Sequence, residues 1–160
     1  MLSPYALSET DELSYEFVTD QEVKYKIYFL DYGSVFNEYL SYNNSIYTFN
    51  IDIIETNAEF IVTDERIGLT VVQVLKLFFA KIENVIIYVC DSIDDRQLAR
   101  KRKFDFWFWK YSDGTIIKED GIAVIEDVEI LSSLLINKSN PHVKEVILAF
   151  KELNEKANEK

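Results

Sequence analysis

Residues 63–90 read TDERIGLTVVQVLKLFFAKIENVIIYVC, and the change of period inside this stretch decides the fold. Ile67, Val71, Val74, Leu75, Phe78 and Ile82 recur at helical spacing, which lays one apolar stripe along a helix. Thr63 or Asp64 can cap its start, and Asp64 and Glu65 sit where the helix dipole favours negative charge. Asn84 to Cys90 is then a short apolar run, the pattern of a strand covered on both faces. After Asp91-Ser92-Ile93-Asp94-Asp95 the pattern predicts a second helix over 94–111. Ser112-Asp113-Gly114 stops it, with glycine free to take the left-handed conformation.

Upstream the period is two. Tyr15 to Val18, the turn-like Thr19-Asp20-Gln21-Glu22 and Val23 to Leu30 read as two strands, with apolar and polar residues alternating at 23–27. Asp31-Tyr32-Gly33 ends the second. Residues 34–45 fit no single pattern, and Asn43-Asn44-Ser45 marks a turn before a strand from Ile46 to Ile54. Tyr47, Phe49, Ile51 and Ile53 share one face of that strand, opposite Asn50 and Asp52. Downstream, Thr115 to Glu119 and Ile122 to Glu126 flank Asp120-Gly121, a hairpin signal. Val128 to Ile136 continues as a strand. Asn140 and Pro141 then supply the cap and first position of a last helix, whose inner face carries Val143, Val146, Ile147, Phe150 and Leu153. The expected architecture is α+β: a mixed, mostly antiparallel sheet, about three helices and one parallel strand–helix–strand crossover. The 160 residues fit a single domain, 1–160, with flexible ends at 1–12 and 154–160.

Composition narrows the function classes. Apolar residues make up 48% and charged residues 28%, a globular balance. One cysteine excludes a disulfide framework, and one histidine excludes zinc centres that need two. The longest apolar run, Val85 to Cys90, is far too short to span a membrane. Met1 to Glu12 has neither the basic nor the apolar region of a signal peptide, so the chain reads as cytoplasmic.

Net charge is −11, and all of that excess lies in residues 1–65, where thirteen acids meet only Lys24 and Lys26. The remaining residues carry fifteen acids and fifteen bases. Eight of the ten tyrosines share the acidic part. Tyrosine offers broad contact area with a polar tip, so this composition suits a basic protein partner, whereas nucleic acid would be repelled.

The most unusual segment is residues 96–111. Five bases in Arg96 to Lys103 precede five aromatics in Phe104 to Trp109. Phe104, Trp107, Phe108 and Tyr111 form an ordinary core stripe, while Phe106 and Trp109 lie on another side that must be covered or shown to a partner. Arg96, Arg100, Arg102, Phe106 and Trp109 are therefore candidate partner contacts, joined by Tyr25 and Tyr28 of the acidic region. Asp91, Asp94 and Asp95 have the chemistry of a hard-cation site, but capping of the following helix accounts for them without a metal. Nothing in the spacing of Cys90 and His142 indicates a nucleophile pair, and no catalytic residue is assigned. Arg66-Ile67-Gly68-Leu69-Thr70 opens the first helix, where backbone amides beside an arginine suit a phosphate.

Two resemblances follow from these residues. Asp64 to Thr70, Cys90-Asp91-Ser92 and Arg96-Gln97 through Trp107-Phe108 resemble segments of small uncharacterised proteins from Bacteroidetes, which implies a shared domain of unknown function over most of the chain. Residues 46–127 also follow an element order similar to that of GNAT-type acyl-CoA N-acyltransferases. In that family an Arg/Gln-x-x-Gly-x-Gly/Ala loop opens the first of these helices and its amides hold the CoA pyrophosphate. The resemblance puts Arg66, Gly68 and Thr70 at that place, with glycine two residues after arginine instead of three. It offers only Tyr111 for the family's general acid, later in the helix than usual, and nothing before Tyr15 matches the family's first strand and acceptor-binding helices. The expected function is that of a small acidic interaction protein, immunity- or inhibitor-like, which binds a basic protein without a cofactor. The alternative is a GNAT-like acyl-CoA-dependent N-acyltransferase or a catalytically decayed relative, with acyl-CoA as its cofactor.

Overall fold

A computed structural model describes residues 2–42, 44–62, 64–90 and 97–158, with the backbone alone at 97 and 100. Among the described residues three helices and seven strands form the α+β architecture. The strands hydrogen-bond in the order β1 (Ser8–Asp11), β2 (Ser14–Val18), β3 (Lys24–Asp31), β4 (Ile46–Glu55), β5 (Val85–Cys90), β7 (Val128–Asn137), β6 (Ile116–Ile125), mostly antiparallel, with β4 and β5 parallel. The chain divides into two compact units. The first holds residues 1–30 and 49–80, the second residues 31–48 and 81–160.

The first unit contains β1 (Ser8–Asp11), β2 (Ser14–Val18), most of β3 (Lys24–Asp31), β4 (Ile46–Glu55) from Phe49 onward, and α1 (Glu65–Phe78). The alternation at 23–27 places Tyr25, Ile27 and Phe29 on the covered face of β3, where Phe17 stacks on Tyr25 at 5.2 Å between ring centroids. The stripe on α1 closes that core. Ile67, Val71, Val74 and Phe78 are buried, and the Phe78 ring lies 4.1 Å from that of Phe29. Ile82 falls beyond the last helical residue. Of the two caps considered, Asp64 is in place, its carboxylate accepting from the Ile67 amide at 2.9 Å, while Thr63 lies outside the described residues. β1 has no apolar alternation to announce it; all four residues are exposed and it is held by backbone pairing to β2.

The second unit contains the start of β4, β5 (Val85–Cys90), α2 (Gln97–Tyr111), β6 (Ile116–Ile125), β7 (Val128–Asn137) and α3 (Val143–Asn158). Ile46, Tyr47 and Thr48 pair in parallel with Val85, Ile86 and Ile87. A 3-10 turn, Gly33–Phe36, leads into the ambiguous 34–45 stretch. Phe36 and Leu40 join Val85, Ile87, Leu134, Ile136, Val146 and Phe150 in one core. The opposite face of β5 is covered too: Ile86 is fully buried, and Tyr88 stacks on Phe104 of α2 at 4.1 Å.

One expectation fails here. Asp120-Gly121 is not a turn; β6 runs straight through it, and the hairpin turns at Glu126-Asp127. Both turn residues have positive φ, 52° and 64°, the conformation a two-residue turn between twisted strands requires. Gly121 answers a different need. A Cβ there would lie 2.6 Å from Asn154 Nδ2 and 2.8 Å from Phe150 Cζ, so glycine is what lets α3 approach β6. Gly114, by contrast, takes φ 84° just past α2, the left-handed stop expected of it.

Candidate functional site

The N-terminus of α1 gathers Arg66, Gly68 and Thr70, and the chain's own groups already engage it. The Arg66 guanidinium lies 3.9 Å from the Tyr5 ring centroid, donates to the Ser3 carbonyl at 2.8 Å and bonds both Asp20 carboxylate oxygens at 3.1 and 3.3 Å. Tyr5 donates its hydroxyl to Asp64 at 2.5 Å, and burial together with that bond raises its pKa. Thr70 is fully buried; its hydroxyl accepts from the Tyr5 amide at 2.8 Å and donates to the Arg66 carbonyl at 2.7 Å. Gly68 is buried within the helix. An incoming anion would meet the Asp64 and Glu65 carboxylates at the helix end and would have to displace Asp20 from Arg66.

Elsewhere in the same unit several acids are exposed. Glu9, Asp11 and Glu12 are exposed on β1 and its turn into β2, Glu22 at the turn into β3, Glu55 at the end of β4 and Glu59 beyond it. The lysines of this region lie on the outer face of the strands, where Lys24 meets Glu16 at 3.9 Å and Lys26 stands 5.5 Å over the Tyr28 ring. Tyr28 is half-buried, its hydroxyl donating to the exposed Asp52 at 2.7 Å, a bond that raises its pKa. Tyr25 belongs instead to the core: it is 8% exposed, because alternation turns its ring toward Phe17. It has little surface to offer a partner.

In the second unit the outer face of α2 stands out. Leu98, Arg102, Phe106 and Trp109 are spaced four, four and three residues apart, so they share one face. All four are exposed, Trp109 at 77% and Phe106 at 52%, and the two rings lie 6.4 Å apart. Arg102 donates back to the Leu98 carbonyl at 3.3 Å, and the Lys110 ammonium stands 5.8 Å from the Phe106 ring. Arg96 lies outside the described residues, and so does the side chain of Arg100. Of the expected core stripe only Phe104 is buried; Trp107, Phe108 and Tyr111 are half-buried.

A network that sequence reasoning missed ties α2 to β6. Lys101 reaches Asp105 at 2.8 Å and Asp120 at 3.2 Å, while Lys118 reaches the same two carboxylates at 2.8 and 2.5 Å. The buried Ser133 of β7 donates to Asp120 at 2.7 Å. Burial alone would lower the Lys101 pKa, but the bonds to Asp105 and Asp120 outweigh it and raise it. Burial alone would raise the Asp120 pKa, but Lys118, Ser133 and Lys101 outweigh it and lower it. The available signal was a base and an acid four apart on α2 beside the core-facing Phe104, matched by Lys118 and Asp120 two apart on one strand face.

Cys90 and His142 are not brought together. Cys90 is buried opposite Leu131 at one end of the β5–β7 ladder. His142 lies past the other end, its ring stacked on Tyr42 at 3.7 Å and its amide donating to Asn140, the side chain expected to cap α3. Asp91, Asp94 and Asp95 lie outside the described residues. Among the described residues no group of three or more His, Cys, Asp or Glu is placed to hold a metal, and no helix is long and apolar enough to cross a membrane.

With this geometry in hand, comparison places the chain. Residues 63–152, more than half of it, match the model of the Family of unknown function (DUF6169). The chain belongs to that family. The DUF6169 match takes in α1, β5, α2, β6, β7 and most of α3, so the aromatic face of α2 falls within it and β1 to β3 do not. No curated protein matches. Among solved structures, a CoA-dependent acyl-homoserine lactone synthase, MesI, is similar at 11% identity, covering 94% of this chain and 71% of that one, with a TM-score of 0.38. A likeness that loose carries no argument about this DUF6169 chain.

Proposed function

We propose that the protein is a non-enzymatic interaction module, inhibitor- or immunity-like, whose partner is a basic protein. One observation carries this reading: the first unit holds an acid excess that its own bases do not cover. Eleven acids there face four bases, and three of those bases are already engaged, Lys24 with Glu16, Arg66 with Asp20, and Lys26 over Tyr28. The exposed Glu9, Asp11 and Glu12 project a field that steers cationic partners and fades with salt.

The test is sedimentation of the wild-type protein with polylysine at low and at high salt, repeated with the triple variant Glu9→Gln/Asp11→Asn/Glu12→Gln. We expect complexes at low salt that dissolve at high salt and a weaker association for the variant. Equal association of wild type and variant, or none at low salt, would overturn the reading.

The alternative, an acyl-CoA-dependent N-acyltransferase or a decayed relative, would seat the CoA pyrophosphate on Arg66, Gly68 and Thr70. The bonds that already occupy Arg66 and Thr70 weigh against it. Calorimetry with acetyl-CoA separates the two readings, because heat of binding would favour the alternative and its absence the interaction module.

A further inference from the structure

We infer that Asn158 locks the free edge of β6, withholding it from the β6 edge of a second copy of this chain. Among the described residues β6 pairs only with β7, so every second residue directs its amide and carbonyl outward. The hairpin closes on the pair Ile125–Val128 across a two-residue turn, which engages Ile125 and Ala123 with β7 and leaves Ile122 and Val124 facing out. Those are the two residues that Asn158 reaches. The Val124 amide donates to Asn158 Oδ1 at 2.6 Å, and Asn158 Nδ2 donates to the Ile122 carbonyl at 3.3 Å. One side-chain amide thus supplies the acceptor and the donor that a residue of a neighbouring parallel strand would supply, and it denies both groups to any incoming strand.

The rest of α3 is arranged to deliver it. Phe150, Asn154 and Asn158 follow one another four residues apart on the helix. The first two lie over Gly121, where a Cβ would collide with both, so the close approach that glycine permits brings the last within reach of the edge.

The edge needs such a device. Residues 121–125, Gly-Ile-Ala-Val-Ile, carry no charge, and Ile122, Val124 and Ile125 are exposed at 51%, 42% and 43%. Uncharged, β-branched edge segments are what other strands pair with. The β1 edge of the other unit is managed differently, by Glu9, Asp11 and an irregularity in its ladder between them. A second copy is the occupant the β6 edge fits, because a two-fold axis pairs β6 with β6 antiparallel and repeats the same exposed apolar residues on both sides. Each chain carries −11, so this pairing joins like charges and strengthens as salt is added.

The experiment compares wild type, Asn158→Ala and Asn158→Asp by hydrogen exchange at Val124 and by sedimentation velocity across concentration and salt. Asn158→Ala is expected to keep the wild-type circular dichroism, lose about tenfold in Val124 protection, and form a dimer that grows with concentration and with salt. Asn158→Asp keeps the acceptor and is expected to hold Val124 protected. Gly121→Ala, which pushes α3 outward, should reproduce the effect of Asn158→Ala. Unchanged exchange at Val124, or an Asn158→Ala protein that stays the size of wild type, would overturn the inference; so would a wild-type protein that already dimerises with increasing salt. The salt dependence is opposite in sign to that of polycation binding, so either idea can fail without the other.

Discussion

Helices α1 and α2 each follow a strand, are nearly equal in length and lie in different units, yet they are held by different forces. α1 is held by its apolar stripe: Ile67, Val71, Val74 and Phe78 are buried, and its polar start is tied down by Asp64, Tyr5 and Asp20. Among the described side chains of α2 only Phe104 is buried, Trp107, Phe108 and Tyr111 are half-buried, and the Lys101–Asp105–Lys118–Asp120 network adds an ionic anchor. The difference teaches how a helix comes to show aromatic rings at its surface. Anchoring by charge does not require an apolar stripe to be spent on the core, so Phe106 and Trp109 are left outside.

Substitutions can break this comparison in order of effect. Phe78→Ala in α1 should cost about 3–5 kcal/mol in denaturant unfolding, the usual loss for a buried phenylalanine. Lys118→Met should cost about 2 kcal/mol, less than removal of a partner from a fully buried pair, because Asp120 is half open to water. A loss equal to that of Phe78→Ala would mean that the network is as buried as the core.

Acidity sharpens the contrast. Asp120 has a lowered folded pKa, so its stabilisation is present above the unfolded carboxylate value and is lost as pH falls through the folded one. Lys101 is raised, so its stabilisation is present below the unfolded lysine value and is lost as pH rises through the folded one. Melting followed by Trp107 and Trp109 fluorescence should therefore weaken at both pH extremes, and Lys118→Met should flatten the acid limb.

A smaller gain is expected at the turn. Asp127→Gly relieves a positive φ at a residue with a Cβ and should add about 1 kcal/mol to unfolding stability. Trp109→Ala should change stability by no more than about 0.5 kcal/mol, since the ring is largely in water. A larger loss would show that it packs as core does.

Most elements were legible in the sequence. Period two announced β2, β3 and β4, period 3.6 announced α1 and α3, and the apolar run announced β5. β1 was silent because an edge strand with no buried face carries no alternation. The β6 turn was misread because glycine serves two purposes: Asp-Gly is a turn signal by local conformation, while Gly121 is needed for room beneath Phe150 and Asn154. Of the candidate contacts, exposure of Phe106 and Trp109 followed from their place off the α2 core stripe. Tyr25 went the other way, although its position opposite Lys24 and Lys26 in the strand alternation could have warned of it.

The chain by itself determined its periodicities, its caps and the concentration of negative charge in its first 65 residues, because these depend on neighbours along the backbone. Tertiary structure alone decided that two lysines and two aspartates from α2 and β6 close on one another, that Arg66 faces Asp20 and Tyr5, and that Asn158 reaches Ile122 and Val124. Each of those contacts joins groups far apart in the chain, and a side chain's spacing along the sequence carries no record of which distant partner folding will bring within hydrogen-bonding distance.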